Sequence, residues 1–326
     1  MIEATPYEHL TPDCVLDALD SVGLRGDGRL LALNSFENRV YQVWLEEGGA
    51  VVAKFYRPGR WSDEAILEEH AFATELAAAE IPVVAPLMLP EATLHYHGGY
   101  RFAVFPRQGG RAPELDRPDV LERIGRFLGR LHLQGGARPF RHRPVLDPHS
   151  FGETPRQWLL EHAPLPPELR DTWAGVSRQA LDGVARCYER AGEVALIRLH
   201  GDCHPGNILT TDAGPHFVDL DDSRMGPAVQ DLWMLLSGDR ADQTRQMGML
   251  LAGYEDFRAF DPCEMWLLEA LRTLRLIHYS AWIASRWNDP AFPAAFPWFD
   301  SPRYWEARIL ELREQVALMD EPPLPV

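Results

Sequence analysis

The sequence predicts an α+β chain of two lobes, a small antiparallel-sheet N-lobe followed by a larger, mainly helical C-lobe. Three observations carry this expectation. Short strand-like runs, some joined by glycine turns, recur through the chain up to residue 106. Apolar residues at helical spacing dominate after it. Between the two, Phe102-Ala103-Val104-Phe105 gives way to Pro106-Arg107-Gln108-Gly109-Gly110, a composition shift that marks a boundary. The expected domains are therefore 1–106 and 107–326.

Length and composition fit this division. A chain of 326 residues with a hydrophobic fraction of 46% can fill two packed cores. The formal net charge of −16 disfavours nucleic acid and anionic membrane as partners. Residues 1–6 show no basic region followed by an apolar one, so no secretory signal is expected. No run approaches the roughly 20 apolar residues of a membrane span. The four cysteines (Cys14, Cys187, Cys203, Cys263) are scattered without a C-x-x-C pair, which fits a cytoplasmic protein in a reducing compartment.

In the first lobe, Thr11-Pro12-Asp13 is an N-cap signal, and Val15, Leu16, Leu19 and Val22 continue a helix that Gly23 can stop. Strands are expected at 30–33, 40–45 and 50–55, with Glu46-Glu47-Gly48-Gly49 as the turn before the last. Asn34-Ser35-Phe36-Glu37-Asn38-Arg39 joins the first two. It is an ordinary polar hairpin, or a phosphate-covering loop with Ser35 as a donor; it has no glycine, so it is not a Walker A loop. Val51-Val52-Ala53-Lys54-Phe55 sets one lysine in an apolar strand. Its charge is costly there unless paired or snorkelling from an edge. A helix follows from Ser62 to about residue 79, with Ala65, Ile66, Phe72, Ala73 and Leu76 as its apolar stripe. Glu69 falls inside that stripe and Glu68 at its margin, so Glu69 is the expected partner of Lys54. Strands at 93–97 and 100–106, joined at His97-Gly98-Gly99, complete the lobe.

In the second lobe a helix opens near Pro118 with Leu121, Ile124, Leu128, Leu131 and His132 on one side. Residues 137–168, rich in proline and arginine, form an irregular insertion whose Arg138, Arg141, His142 and Arg143 read as a solvated face or a contact for a phosphate or an acidic partner. Helices are expected at 166–190, 240–257, 262–287 and 302–319. A buried strand, Val194-Ala195-Leu196-Ile197, leads into His200-Gly201-Asp202-Cys203-His204-Pro205-Gly206-Asn207.

On composition alone this octapeptide is a turn, a zinc site of His200, Cys203 and His204, or a Cys203–His204 nucleophile pair. Asp202 and Asn207 also stand in the D-x-x-x-x-N spacing of a phosphotransferase loop, where the carboxylate accepts a hydroxyl proton and the amide oxygen meets magnesium. A hairpin, 208–210 with 216–218, then returns the chain to Asp219-Leu220-Asp221-Asp222. A carboxylate ending a strand beside such a loop can hold magnesium. Asp219 is the expected one, directly after Phe217-Val218, with Asp221 next in order. Asp231, in the otherwise apolar start of a helix after Gly226-Pro227, is expected to accept backbone N–H groups of the 200–207 loop.

The order strand lysine, helix glutamate, D-x-x-x-x-N loop, hairpin aspartate and G-P-A-x-x-D-L helix resembles the aminoglycoside/choline/homoserine phosphotransferase superfamily, whose fold is similar to that of protein kinases. Leu33-Asn34-Ser35-Phe36-Glu37-Asn38-Arg39, Lys54-Phe55-Tyr56-Arg57-Pro58, Leu199-His200-Gly201-Asp202-Cys203-His204 and Val229-Gln230-Asp231-Leu232-Trp233 are similar to the bacterial stress response kinase A (YihE) family. The resemblance implies a bilobal protein kinase-like fold and a cytosolic, monomeric, ATP-dependent serine/threonine protein kinase acting under oxidative and envelope stress. Carried over, Asp202 is the proton acceptor, Asn207 and Asp219 hold Mg2+, Ser35 lies at the ATP and Lys54 matches the family's strand lysine. The N-lobe would then bind nucleotide, and the C-lobe would hold catalysis and substrate. His-Gly-Asp replaces the His-Arg-Asp of ordinary protein kinases and no A-P-E follows Asp219, so activation-loop control is not expected. The alternative keeps the chemistry and changes the acceptor to a small amino alcohol or aminoglycoside.

Overall fold

The structure is a computed structural model describing residues 6–326. Residues 1–5, which carry most of the segment read above as lacking a signal sequence, lie outside the described residues. The chain divides into two compact units. One holds residues up to Glu114 together with Phe140–Arg143 and His204–Ser223; the other holds Leu115–Pro139, Pro144–Cys203 and Arg224 onward. The first unit thus runs past residue 106 and takes in two later segments.

Helix α1 (Pro12–Asp20) opens the first unit; the Thr11 hydroxyl accepts the Cys14 N–H at 3.2 Å. Strands β1 (Gly26–Ala32), β2 (Arg39–Leu45) and β3 (Ala50–Phe55) pair antiparallel, and Gly48 and Gly49 supply the positive φ of the β2–β3 turn. Helix α2 (Asp63–Ala78) starts at Ser62, whose hydroxyl accepts the Ala65 N–H. Strands β4 (His95–His97) and β5 (Tyr100–Pro106) form a hairpin, and β5 returns to pair with β3. The sheet order is β1-β2-β3-β5-β4. Thr93 and Leu94, expected in a strand, precede β4.

Strand alternation sorts this sheet's two faces. Val51, Ala53 and Phe55 join Phe102, Val104 and the α1 residues Val15, Ala18 and Leu19 in one core. Lys54 and its register partner Ala103 point to the opposite face, where Ala103 packs with Ile66 of α2.

In the second unit, α3 (Pro118–Gly135), α4 (Thr154–His162) and α5 (Pro167–Ala191) precede β6 (Ile197–Leu199). Helix α4 corrects the reading of 137–168 as wholly irregular. It continues a π-helical turn at His149–Glu153, with Pro155 in its own first turn. The strand expected at 194–197 also shifts: β6 begins at Ile197, and Leu196 is exposed. Its partner β9 (Arg224–Gly226) has only three residues to offer, from Ile197↔Gly226 to Leu199↔Arg224. Between these strands in sequence, but in the first unit, lies the hairpin β7 (Ile208–Thr211) and β8 (Gly214–Phe217). Helices α6 (Val229–Trp233), α7 (Arg240–Tyr254), α8 (Leu268–Ala284), α9 (Ala291–Ala295) and α10 (Pro302–Leu318) complete the second unit. Among the described residues no helix is long and apolar enough to cross a membrane.

Candidate active site

Five of the six sequence-predicted site residues line one cavity of about 260 Å³ in the first unit: Ser35, Lys54, Glu69, Asn207 and Asp219. Each arrives by a different route. Ser35 lies on the β1–β2 connection, Lys54 on β3 and Glu69 on α2, while Asn207 and Asp219 flank the β7–β8 hairpin. The hairpin is bound into the unit at both ends. Phe217 N–H donates to Pro82 O at 2.7 Å and Val84 N–H to Phe217 O at 3.0 Å. Thr210 and Arg111 exchange backbone bonds of 2.7 and 3.1 Å. Val218 N–H donates to Asn207 O at 3.0 Å, which fixes the approach to Asp219.

Lys54 is buried, and its ammonium lies 2.9 Å from Asp219 Oδ1, 3.2 Å from Asp221 Oδ1 and 3.8 Å from Glu69 Oε1. Burial pulls its pKa down, but the three carboxylates outweigh that and hold it well above the ordinary lysine value. Glu69 is pushed up by burial, against the pull of Lys54 and Arg143. The Asp219 side chain is 52% exposed, so it can take a further ligand without leaving the lysine. Its backbone is left-handed, φ 60°, a conformation aspartate tolerates better than most residues.

Glu69 is the α2 glutamate beside Lys54. Glu68 turns the other way and accepts the backbone N–H groups of Arg141, His142 and Arg143. Three residues were missed or ranked too low. Asp221 is buried against Lys54 and Arg60, and it accepts the Asn38 amide at 3.1 Å. Arg60, in the loop after β3, also reaches Asp222 at 2.8 Å. Arg143, read as part of a solvated or contact face, is buried and bonds Glu69 at 2.8 Å. The signal for Asp221 was its place two residues after Asp219 with Leu220 between them.

Asp202 belongs to the second unit, just past β6. Its loop is held from α6. Asp231 accepts His200 N–H at 2.8 Å and Gly201 N–H at 2.9 Å, and Gln230 donates to Gly201 O at 3.2 Å. Gly201 has φ 85°, which excludes most side chains. His132 Nε2 meets the same Asp231 carboxylate at 3.1 Å, while its Nδ1 meets Tyr254 at 3.0 Å, so it is a satisfied core histidine. Burial raises Asp231, but His132 and the Gly201 N–H outweigh it and hold the carboxyl below its usual range. Asp202 itself pairs with Arg275 of α8 at 2.8 Å. Cys203 is fully buried, and burial beside Asp231 and Asp202 pushes its thiol well above the usual value, the reverse of an activated nucleophile.

The sequence matches the Phosphotransferase enzyme family over residues 29–266. It is 46% identical over 321 residues to Stress response kinase A of Salmonella choleraesuis, covering 98% of this chain and 97% of that one. The chain belongs to the stress response kinase A family. A second relative, 46% identical over 98% of this chain and 97% of its own length, is Serine/threonine protein kinase RdoA of Salmonella typhimurium. Among solved structures, the amicoumacin kinase hAmiN in complex with AMP-PNP, Ca2+ and Ami shares the fold at TM-score 0.72 and 18% identity, covering 94% of this chain and 92% of that one. Membership makes this protein a phosphotransferase, a kinase, with the kinase-like fold of that superfamily.

Proposed function

We propose that the protein is an ATP- and Mg2+-dependent serine/threonine protein kinase of a cytoplasmic stress response, acting as a monomer. The observation that carries the reading is Lys54, held 2.9 Å from Asp219 and 3.8 Å from Glu69 in the cavity that Ser35 and Asn207 also line. One buried ammonium among three carboxylates leaves the site net negative, which suits a divalent cation, and that cation would in turn draw phosphate oxygens towards Lys54. Asn207 and Asp219 offer only oxygen donors, the set that suits a hard cation such as Mg2+. Magnesium supplies charge neutralisation on the transferring phosphate. In this reading residues 1–106 bind nucleotide, and 107–326 supply catalysis and the acceptor surface.

The roles of the side chains follow. Ser35 caps the phosphates from the β1–β2 loop. Lys54 holds them, and Glu69 orients Lys54. Asp202 accepts the proton of the acceptor hydroxyl, in a loop that Asp231 keeps in one conformation. The test is transfer of labelled phosphate from ATP with magnesium, by wild type and Asp202→Ala, to generic protein substrates and to a panel of small alcohols. Labelled serine and threonine that depend on Asp202 are expected, with a loss on the order of 10²–10⁴ in rate for the variant. Transfer to small alcohols alone would reject the protein-acceptor reading.

A further inference from the structure

Arg143 is a buried cation that no motif of the site accounts for. Its segment is gripped twice by α2. The Glu68 carboxylate accepts the N–H groups of Arg141 at 2.7 Å, His142 at 2.8 Å and Arg143 at 3.1 Å. The next residue, Glu69, accepts Arg143 Nη2 at 2.8 Å. Arg143 Nε donates to Ala65 O at 2.8 Å, and Nη1 to Asp221 O at 2.5 Å and Ser223 O at 3.4 Å. The guanidinium also lies 4.5 Å from the Trp61 ring centre. Its side chain is fully buried.

One planar group therefore ties together α2, the loop after β3 and the Asp219–Ser223 segment. Its charge matters as much as its bonds. Glu69 has one oxygen 2.8 Å from Arg143 and the other 3.8 Å from Lys54, so Arg143 is its nearer cation. Lys54 is left closer to Asp219 and Asp221, the carboxylates nearest the proposed metal.

We propose that Arg143 is a positioning residue for the nucleotide site: it fixes Glu69 and the Asp219–Asp221 turn around Lys54 without itself lining the cavity. The inference rests on the nucleotide reading above. The fork geometry makes it specific to arginine. Lysine keeps the charge, but its three N–H donors radiate from one nitrogen and cannot reach acceptors spread around the guanidinium's Nε, Nη1 and Nη2.

The experiment measures magnesium–AMP-PNP affinity by calorimetry and urea unfolding for wild type, Arg143→Lys, Arg143→Gln, Glu69→Gln and the double variant Arg143→Gln/Glu69→Gln. A folded Arg143→Lys is expected to bind roughly 10–100-fold more weakly, the usual loss when a partner behind a ligand is removed. The double variant is expected to lose less than the product of its single losses, because both changes break one contact. Should Arg143→Gln fail to fold, Arg143→Lys carries the test. Folded Arg143→Lys with wild-type affinity, whatever its stability, would overturn the inference alone. Wild type that binds no nucleotide would overturn the nucleotide reading and this inference with it.

Discussion

Asp221 and Glu264 are buried carboxylates shifted in opposite directions, and they give stability opposite pH dependences. Burial raises Asp221, but Arg60 and Lys54 outweigh it and hold the carboxyl down to about 2. A depressed folded pKa contributes stability that is present above the ordinary value, near 4, and is lost as pH falls towards 2. The stability gap between wild type and Asp221→Asn is therefore expected to be widest above pH 4 and to narrow below it. Glu264 accepts the Val229 N–H at 2.8 Å at the start of α6, and burial raises it to about 7. A raised carboxyl binds its proton more tightly when folded, so wild type loses stability as pH rises from about 4.5 to 7. Glu264→Gln should lack that decline and gain on wild type across the window. Urea midpoints measured from pH 2 to 8 check both signs.

Helices α3 and α7 meet through glycines. A Cβ on Gly125 would lie 2.0 Å from Leu250 O, and one on Gly253 would lie 1.9 Å from Glu122 O. Intrinsic propensity favours alanine over glycine in a helix by about 1 kcal/mol. At Gly125 the clash reverses the sign, and Gly125→Ala should destabilise by about 1–3 kcal/mol. Gly175 on α5 has open space around its Cβ position, so Gly175→Ala should stabilise by about 0.5–1 kcal/mol. Denaturant titration of the two variants, carrying the same chemical change, separates packing from propensity.

The elements also show what the sequence made legible. Thr11 and Ser62 mark their helix starts because capping chemistry is local. Lys54 and Glu69 stand out because a charge inside an apolar period demands a partner. Arg143 was not legible, since its segment has no period and its partners Glu69 and Asp221 lie 74 and 78 residues away. Strand β6 was misread because burial of a short strand depends on what pairs with it, and β9 ends at Gly226. Asp231 was anticipated, since a carboxylate in an apolar turn must find donors, and His200 and Gly201 provide them.

The first unit is assembled from three separate stretches of chain. A fragment of residues 1–106 lacks the β7–β8 hairpin that bonds Pro82 and Val84, and it lacks Arg143 beside Glu69. Such a fragment is expected to show no cooperative thermal transition by circular dichroism, whereas the full chain does. The full chain should also be stabilised by magnesium–AMP-PNP, by about 2.7 kcal/mol at a hundredfold excess over Kd. Lys54→Met should abolish most of that gain in a thermal-shift titration.

Discontinuity has a consequence for the order of synthesis. Residues reach the ribosome exit from the N-terminus onward, at roughly 5–20 per second. Lys54 and Glu69 emerge early, yet Asp219, Asp221 and the hairpin that carries them follow only after most of the second unit's first helices. For an interval on the order of ten seconds the nascent first unit holds Lys54 on β3 and Glu69 on α2 without their later counter-charges. The five-stranded sheet is complete by residue 106, but the first unit around it cannot finish in the order in which it is made, and the later β7–β8 hairpin completes it.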